Sequence, residues 1–198
     1  SNRRNKRILH RIQLFWRNHP ARRKIGRNRT MRQHVLSTTR STTTKRKRRT
    51  MRQSTKTIEA LHWIVTILRK NNIPFQITGG FAANIYGSRR PLADIDIELP
   101  NKALYQLSDN VQKYVIRKPY WHKDDAFSLL RATLNYKHQD IDLCGCEQQR
   151  LYDKKTKTWK RCVVDLKKAT KKKSYGLIIP VVPLKEVIRY KKLISRKV

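Results

Sequence analysis

The distribution of charge along the chain limits which part of it can fold. Residues 1–57 contain 20 lysines and arginines and no acidic residue, and the first carboxylate of the chain belongs to Glu59. A segment of this composition, with a Ser/Thr-rich run at 37–44, buries too little apolar area to offset its conformational entropy. The sequence therefore predicts a basic extension over 1–57 and a folded domain over 58–198.

The net charge predicts a polyanionic partner. The 198 residues carry 48 basic and 13 acidic side chains, a formal charge of +35, of which +15 remains in 58–198. Such charge repels itself unless a polyanion is bound, and we expect RNA. The segment also resembles an organelle transit peptide or a solvated tail, and these alternatives stay open. The residues expected to bind RNA are Arg22, Arg23, Lys24, Arg27, Arg29, Lys45, Arg46, Lys47, Arg48 and Arg49.

Hydropathy and cysteine content exclude two classes of protein. No apolar run approaches the roughly 18 residues that cross a bilayer, so the sequence predicts no transmembrane segment. Three cysteines are too few and too odd in number for a disulfide framework, so no disulfide partner is expected. Cys144 and Cys146 lack the second ligand pair of a structural zinc site, which favours ordinary strand cysteines.

Hydrophobic periodicity predicts an alternation of helices and strands. Ile95, Ile97 and Leu99 alternate with acidic residues over 92–99, which is the period of a half-buried strand. This order of elements predicts an α+β fold with a mixed sheet. The predicted helices are 57–71, 81–86, 102–110 and 184–195, and the predicted strands are 75–78, 92–99, 127–136, 140–144, a hairpin within 151–166, and 177–182.

Three aspartates form the candidate reactive site. Asp94 and Asp96 lie two residues apart on a predicted strand, so their side chains project from the same face. With Asp142 on a later strand they would make a hard oxygen site that suits Mg²⁺ and phosphoryl chemistry. Upstream, Gly79 and Gly80 lie between a strand and a helix, where the backbone can approach a triphosphate closely.

The order and spacing of these motifs resemble a known superfamily. Thr78-Gly79-Gly80-Phe81-Ala82-Ala83, Tyr86-Gly87-Ser88-Arg89-Arg90 and Asp94-Ile95-Asp96-Ile97 resemble the signature of the DNA polymerase β-type nucleotidyltransferases. Within that superfamily they are similar to small bacterial MazG-related and abortive-infection nucleotidyltransferase-like proteins. The resemblance covers about 58–198 and continues at Gln139-Asp140-Ile141-Asp142-Leu143 and at Pro180-Val181-Val182-Pro183-Leu184, which leads to Tyr190-Lys191-Lys192.

The resemblance implies a nucleotidyltransferase-like mixed sheet flanked by helices, with the basic extension in front of it. It also implies Mg²⁺ and an NTP as cofactor and substrate if the domain is active, with Asp142 as a candidate base. The catalytic and metal-binding residues that it implies are Asp94, Asp96 and Asp142, and the nucleotide-binding residues are Gly79, Gly80, Arg89 and Lys191.

Two functions follow from these expectations. The charge favours an RNA-binding structural or assembly component of a large ribonucleoprotein, expected to be a mitochondrial ribosome in the matrix. Its partners would then be rRNA and neighbouring ribosomal proteins. The intact aspartate triad favours the alternative, an active Mg²⁺-dependent nucleotidyltransferase that transfers NMP to RNA or protein, for which a bacterial cytoplasm is the alternative location.

Overall fold

The computed structural model describes the backbone of residues 42–88, 90–107 and 109–194, and the side chains of 55–88, 90–107 and 111–194. Arg89 and the expected RNA-binding residues between 22 and 29 lie outside the described residues. For the second expected cluster, 45–49, the backbone alone is described.

A long helix leads into the folded domain. Helix α1 spans Thr42–Lys70, so it begins well before the start at 57 that the sequence predicts. Its fully buried side chains recur at helical spacing, as expected for a helix lying on a sheet. The helix ends where Asn72 adopts a φ of 51°. The buried side chains of this face are Ala60, Leu61, Ile64, Val65 and Leu68.

The remaining elements alternate as the sequence predicts, with two additional strands. The predicted helix at 102–110 is two short helices, and strands at 115–123 and 170–174 were not predicted. The helices are α2 (Gly79–Ile85), α3 (Asn101–Gln106), α4 (Asp109–Gln112) and α5 (Leu184–Leu193). The strands are β1 (Gln76–Ile77), β2 (Asp94–Leu99), β3 (Val115–Lys123), β4 (Phe127–Tyr136), β5 (Gln139–Gly145), β6 (Arg150–Asp153), β7 (Thr158–Arg161), β8 (Thr170–Ser174) and β9 (Leu177–Val181).

The described strands form one mixed sheet. Their order is β7-β6-β4-β5-β2-β1-β9-β8. Strands β5 and β6 pair with one edge of β4, at different positions along it, and β3 pairs with the opposite edge. The pairs β2–β5 and β1–β9 are parallel, and the other pairs are antiparallel. The predicted α+β class and mixed sheet are therefore confirmed. Within the described residues, no helix is both long enough and apolar enough to cross a membrane.

Helix α1 packs across the centre of the sheet and is held there by contacts with β4 and β5. The indole of Trp63 stacks on Tyr136 with ring centroids 4.4 Å apart, and meets the edge of Tyr114 at 4.7 Å. Thr57, which is buried, donates its hydroxyl to Oε1 of Gln139 on β5 over 2.6 Å. Because β5 also carries Asp142, these contacts help to hold the strand that completes the candidate site.

Candidate functional site

The parallel pairing of β2 and β5 brings the three predicted aspartates together. In its register Asp96 lies opposite Asp142, and Asp94 lies opposite Asp140. One carboxylate oxygen from each of Asp94, Asp96 and Asp142 lies within 4.8 Å of the others. Residues two apart on one strand and the residue opposite them on the next share a face of the sheet. The cluster is thus a direct product of strand pleat and register.

The electrostatics of this cluster favour a bound cation. Burial, with the negative charges of Asp94 and Asp142 added to it, raises the pKa of Asp96 to about 7. Burial and the charge of Asp142 likewise raise the pKa of Asp94. Close carboxylates in a partly buried site resist ionisation until a positive charge compensates them. Three hard oxygen donors at these distances fit a divalent ion such as Mg²⁺.

An arginine that the sequence did not single out belongs to the same cluster. The guanidinium of Arg131 on β4 forms an ion pair with Oδ2 of Asp142, whose side chain is 5% exposed. On the same carboxylate, Oδ1 accepts a hydrogen bond of 2.8 Å from the Thr133 hydroxyl. The β4–β5 register places Thr133 opposite Asp142. The alternation of side chains along β4 predicts that residues 131 and 133 share one face. It does not predict that they lie beside Asp142, because that depends on the β4–β5 register.

The backbone of Gly79 lies directly against Asp96. Its φ of 63° lies in the left-handed region. A Cβ at this position would lie 1.7 Å from Oδ2 of Asp96, so the site accepts glycine alone. The next residue, Gly80, donates its backbone N–H to the same oxygen over 3.4 Å. The predicted pair of glycines therefore lies directly against the predicted metal ligands.

The aspartates and glycines line one wall of a cavity of about 540 Å³, a size common for small-molecule sites. Lys191 of α5, also a predicted site residue, lines the same cavity and is 7% exposed. Arg90, the neighbour of the predicted Arg89, lines it as well. Cations and carboxylates thus meet in one concave space.

The wall beyond the aspartates is also polar. Glu98, two residues after Asp96 on the same face of β2, accepts hydrogen bonds from Gln76 over 2.6 Å and from Gln149 over 3.4 Å. Burial raises the pKa of this carboxyl group, and the two amide donors partly offset the rise. Burial also raises the thiol pKa of Cys144 well above its ordinary value, which keeps that cysteine protonated.

Comparisons with known proteins address the fold. No protein-family model matches the chain, and a search of curated proteins finds no significant match. TM1012 from Thermotoga maritima, assigned as a nucleotidyltransferase, matches with a TM-score of 0.58 and 20% identity, over 69% of this chain and 83% of that one.

Two structures of the antibiotic-resistance factor ANT(2'')-Ia match less well. Its solution structure has a TM-score of 0.38 at 16% identity, over 71% of this chain and 84% of that one. Its complex with adenylyl-2''-tobramycin has a TM-score of 0.36 at 15% identity, over 70% and 88%. The similarity to TM1012, together with the curled mixed sheet and its flanking helices, shows that this chain has a nucleotidyltransferase-like fold.

Proposed function

We propose that this chain is a Mg²⁺-dependent nucleotidyltransferase of the DNA polymerase β-type superfamily, transferring NMP from an NTP to a hydroxyl group of RNA or protein. The observation that carries the proposal is the cluster of three carboxylate oxygens within 4.8 Å of one another, on the wall of a cavity and against Gly79. The fold shared with TM1012 supports nucleotidyl transfer over a structural role in a ribosome.

In the proposed reaction, an acceptor hydroxyl oxygen attacks the α-phosphorus of the NTP. A bond forms between that oxygen and the α-phosphorus, and the bond from the α-phosphorus to the bridging oxygen of the β-phosphate breaks. Pyrophosphate leaves with the electron pair of the broken bond, and the acceptor's proton passes to a carboxylate. A divalent ion held by Asp94, Asp96 and Asp142 would supply Lewis-acid stabilisation of the phosphate charge.

The order of strands supports a proposed placement of the two substrates on opposite sides of the site. β2 lies between β1 and β5, and the glycines follow β1 whereas Asp142 is on β5. In this arrangement the triphosphate lies near Gly79 and Gly80, and the acceptor approaches from the side of Asp142. Asp142 is then proposed to take the acceptor's proton, and Arg131, its ion-pair partner, holds the carboxylate in position.

Lys191 is the proposed cationic contact of the triphosphate. It projects from α5 into the cavity wall, and α5 packs against α2, which begins with the two glycines. A buried lysine amine is a strong point charge for a phosphate group. Positioning and charge compensation of this kind supply most of the catalysis in phosphoryl transfer.

The test is transfer of label from NTPs radiolabelled at the α-phosphate to short RNA or to protein, with Mg²⁺ and the full chain. We expect label on the acceptor, and we expect Asp94→Ala to remove it while Asp125→Asn, a change at an exposed turn residue, leaves it intact. No transfer from any of the four NTPs to either acceptor class, together with no binding of Mn²⁺ by the wild-type chain, would refute the proposal.

The structural role in a ribonucleoprotein stays a prediction from charge alone. Comigration with ribosomal subunits in sucrose gradients at high salt would support it, and migration at the top of the gradient would contradict it. The predicted mitochondrial matrix, rRNA and ribosomal-protein partners depend on the same measurement.

A further inference from the structure

The cavity and the aspartates lie on one face of the sheet, and the sheet has a second, opposite face. At the end of the sheet formed by β3, β4, β6 and β7, His122 and Leu151 line the cavity. Side chains alternate between the faces of a strand. Lys123 and Tyr152, the neighbours of these two residues, therefore project from the other face, and a contact that Lys123 makes with Trp159 agrees with this.

A row of cations crosses this outer face. Lys123 is the register partner of Ser128, Ser128 of Arg150, and Arg150 of Arg161. All three cations are exposed. With neighbouring strands about 4.8 Å apart, the backbones of Lys123 and Arg150 are about 10 Å apart, and Arg161 lies one strand further. Four register partners in a line thus present three positive charges to solvent.

The pairing of Arg150 with Arg161 is unfavourable unless an anion is present. Like charges directly opposite each other on antiparallel strands destabilise the pair. Within the described part of the chain, neither arginine forms an ion pair, whereas nearby Lys154 pairs with Asp125 and Lys160 with Asp153. An external polyanion would relieve this repulsion.

Aromatic rings lie beside the row of cations. Trp121, which is 47% exposed, is fixed by a hydrogen bond of 3.0 Å from its Nε1 to the Ser128 hydroxyl. Lys123 Nζ lies 5.6 Å from the ring centroid of Trp159, and Trp159 contacts Tyr152 with centroids 5.4 Å apart. An exposed and fixed indole offers a flat surface on which an unpaired base can stack.

We infer that this face, formed by Trp121, Lys123, Arg150, Tyr152, Trp159 and Arg161, binds single-stranded RNA. The row of cations supplies phosphate contacts, and the indoles supply stacking for bases. Duplexes hide the faces of their bases, whereas RNA loops and ends present them. The binding itself does not depend on the nucleotidyl transfer proposed above. The additional statement that the bound RNA is the acceptor of NMP rests on the proposed function.

The test measures the affinity of the full chain for a short fluorescein-labelled oligouridylate by anisotropy, in EDTA and without nucleotide. The substitutions Lys123→Ala, Arg150→Ala and Arg161→Ala are combined in one variant. The control variant combines Lys102→Ala, Lys171→Ala and Lys173→Ala, three exposed lysines elsewhere on the described surface. Circular dichroism establishes that both variants are folded.

Counterion release sets the expected size of the effect. Each phosphate contact of a single strand contributes about 0.7 to the slope of log affinity against log salt, so the first variant should lower the slope by about 2. The control variant should leave the slope unchanged. Trp121→Ala should weaken binding at least about fivefold through loss of stacking, and Trp121→Phe should retain most of it.

Photo-cross-linking to the full chain, which includes the basic extension, locates the bound RNA. An oligonucleotide containing 4-thiouridine should cross-link to peptides of β3 and of the β6–β7 hairpin. Cross-links confined to residues before 58, or equal changes of slope in the two triple variants, would overturn the inference. So would an equal effect of Trp121→Ala on duplex RNA, because a duplex has no unpaired base to stack.

Discussion

Replacing Asp96 by asparagine should stabilise the metal-free protein at alkaline pH. The side chain of Asp96 lies among Asp94 and Asp142, and its pKa is raised to about 7 by burial first and by those charges second. Ionising this carboxyl group therefore costs more free energy in the folded protein than in the unfolded chain, and so destabilises the folded state. Asparagine has nearly the same shape and never ionises, so it removes this cost alone.

The size of the effect follows from the two pKa values. The folded protein keeps the proton of Asp96 up to about pH 7, whereas the unfolded chain loses it near its ordinary value of 3.8. The folded state thus binds more protons in between, and the free energy of unfolding of the wild type falls as the pH rises through this window. Between roughly pH 5 and pH 8 the loss amounts to about 2 to 3 kcal/mol.

The assay compares thermal unfolding of Asp96→Asn and wild type in EDTA at both pH values. The stability difference in favour of the variant should grow by about 2 to 3 kcal/mol from pH 5 to pH 8, or roughly 5 to 10 °C in Tm. Asp125→Asn, at a side chain that is 82% exposed, is the matched control and should show no such growth. Mg²⁺ at pH 8 should raise the Tm of the wild type but not of Asp96→Asn. A stability difference that is equal at both pH values would refute the electrostatic reasoning.

Four further predictions concern the surroundings of the site and the fold. Gly79→Ala should abolish transfer and Mn²⁺ binding because its Cβ would overlap Asp96, whereas Gly87→Ala, with a φ of 106° and no atom within 4 Å, should cost only about 1 kcal/mol in thermal unfolding. Arg131→Gln should lower the free energy of unfolding in EDTA by about 2 to 3 kcal/mol, since Asp142 loses its ion pair, and Mg²⁺ should restore more stability than in the wild type. Trp63→Ala should cost about 3 kcal/mol in urea unfolding, because the indole stacks on Tyr136; an effect under about 1 kcal/mol would contradict this packing. Replacing Lys137-His138 by Asn-Gly should add about 1 kcal/mol, because both residues have a positive φ, 47° and 67°; a lower Tm would refute this.

The sequence predicted the elements whose side chains repeat with a clear period. The alternation at Asp94–Leu99 and the apolar spacing within Thr42–Lys70 each report one buried face, and the structure contains both elements. Gly79 was predictable as well, because a glycine pair between strand and helix indicates a close backbone approach. Its contact with Asp96, however, depends on how β1 pairs with β2, and local periodicity does not report pairing.

Two strands escaped prediction because their sequences hide the pattern. β3 contains Pro119 and changes register twice, between Val115 and Arg117 and between Arg117 and Tyr120, which breaks the alternation. β8, at Thr170–Ser174, is an edge strand with three consecutive lysines, a composition that resembles a loop. Because β3 was missed, the row of cations formed by Lys123, Arg150 and Arg161 could not be foreseen, since it exists only across three strand pairings.

The cost of the aspartate cluster bears on which function the domain has. Of the three carboxylates within 4.8 Å of one another, Asp94 and Asp96 have raised pKa values, so their ionisation opposes folding in the absence of a bound cation. A domain that served only as a scaffold on RNA would be more stable with an asparagine at position 96. The chain instead carries the unfavourable carboxylate at this position. The proposed nucleotidyl-transfer site would account for this carboxylate, because the same charges become favourable once a divalent ion is bound.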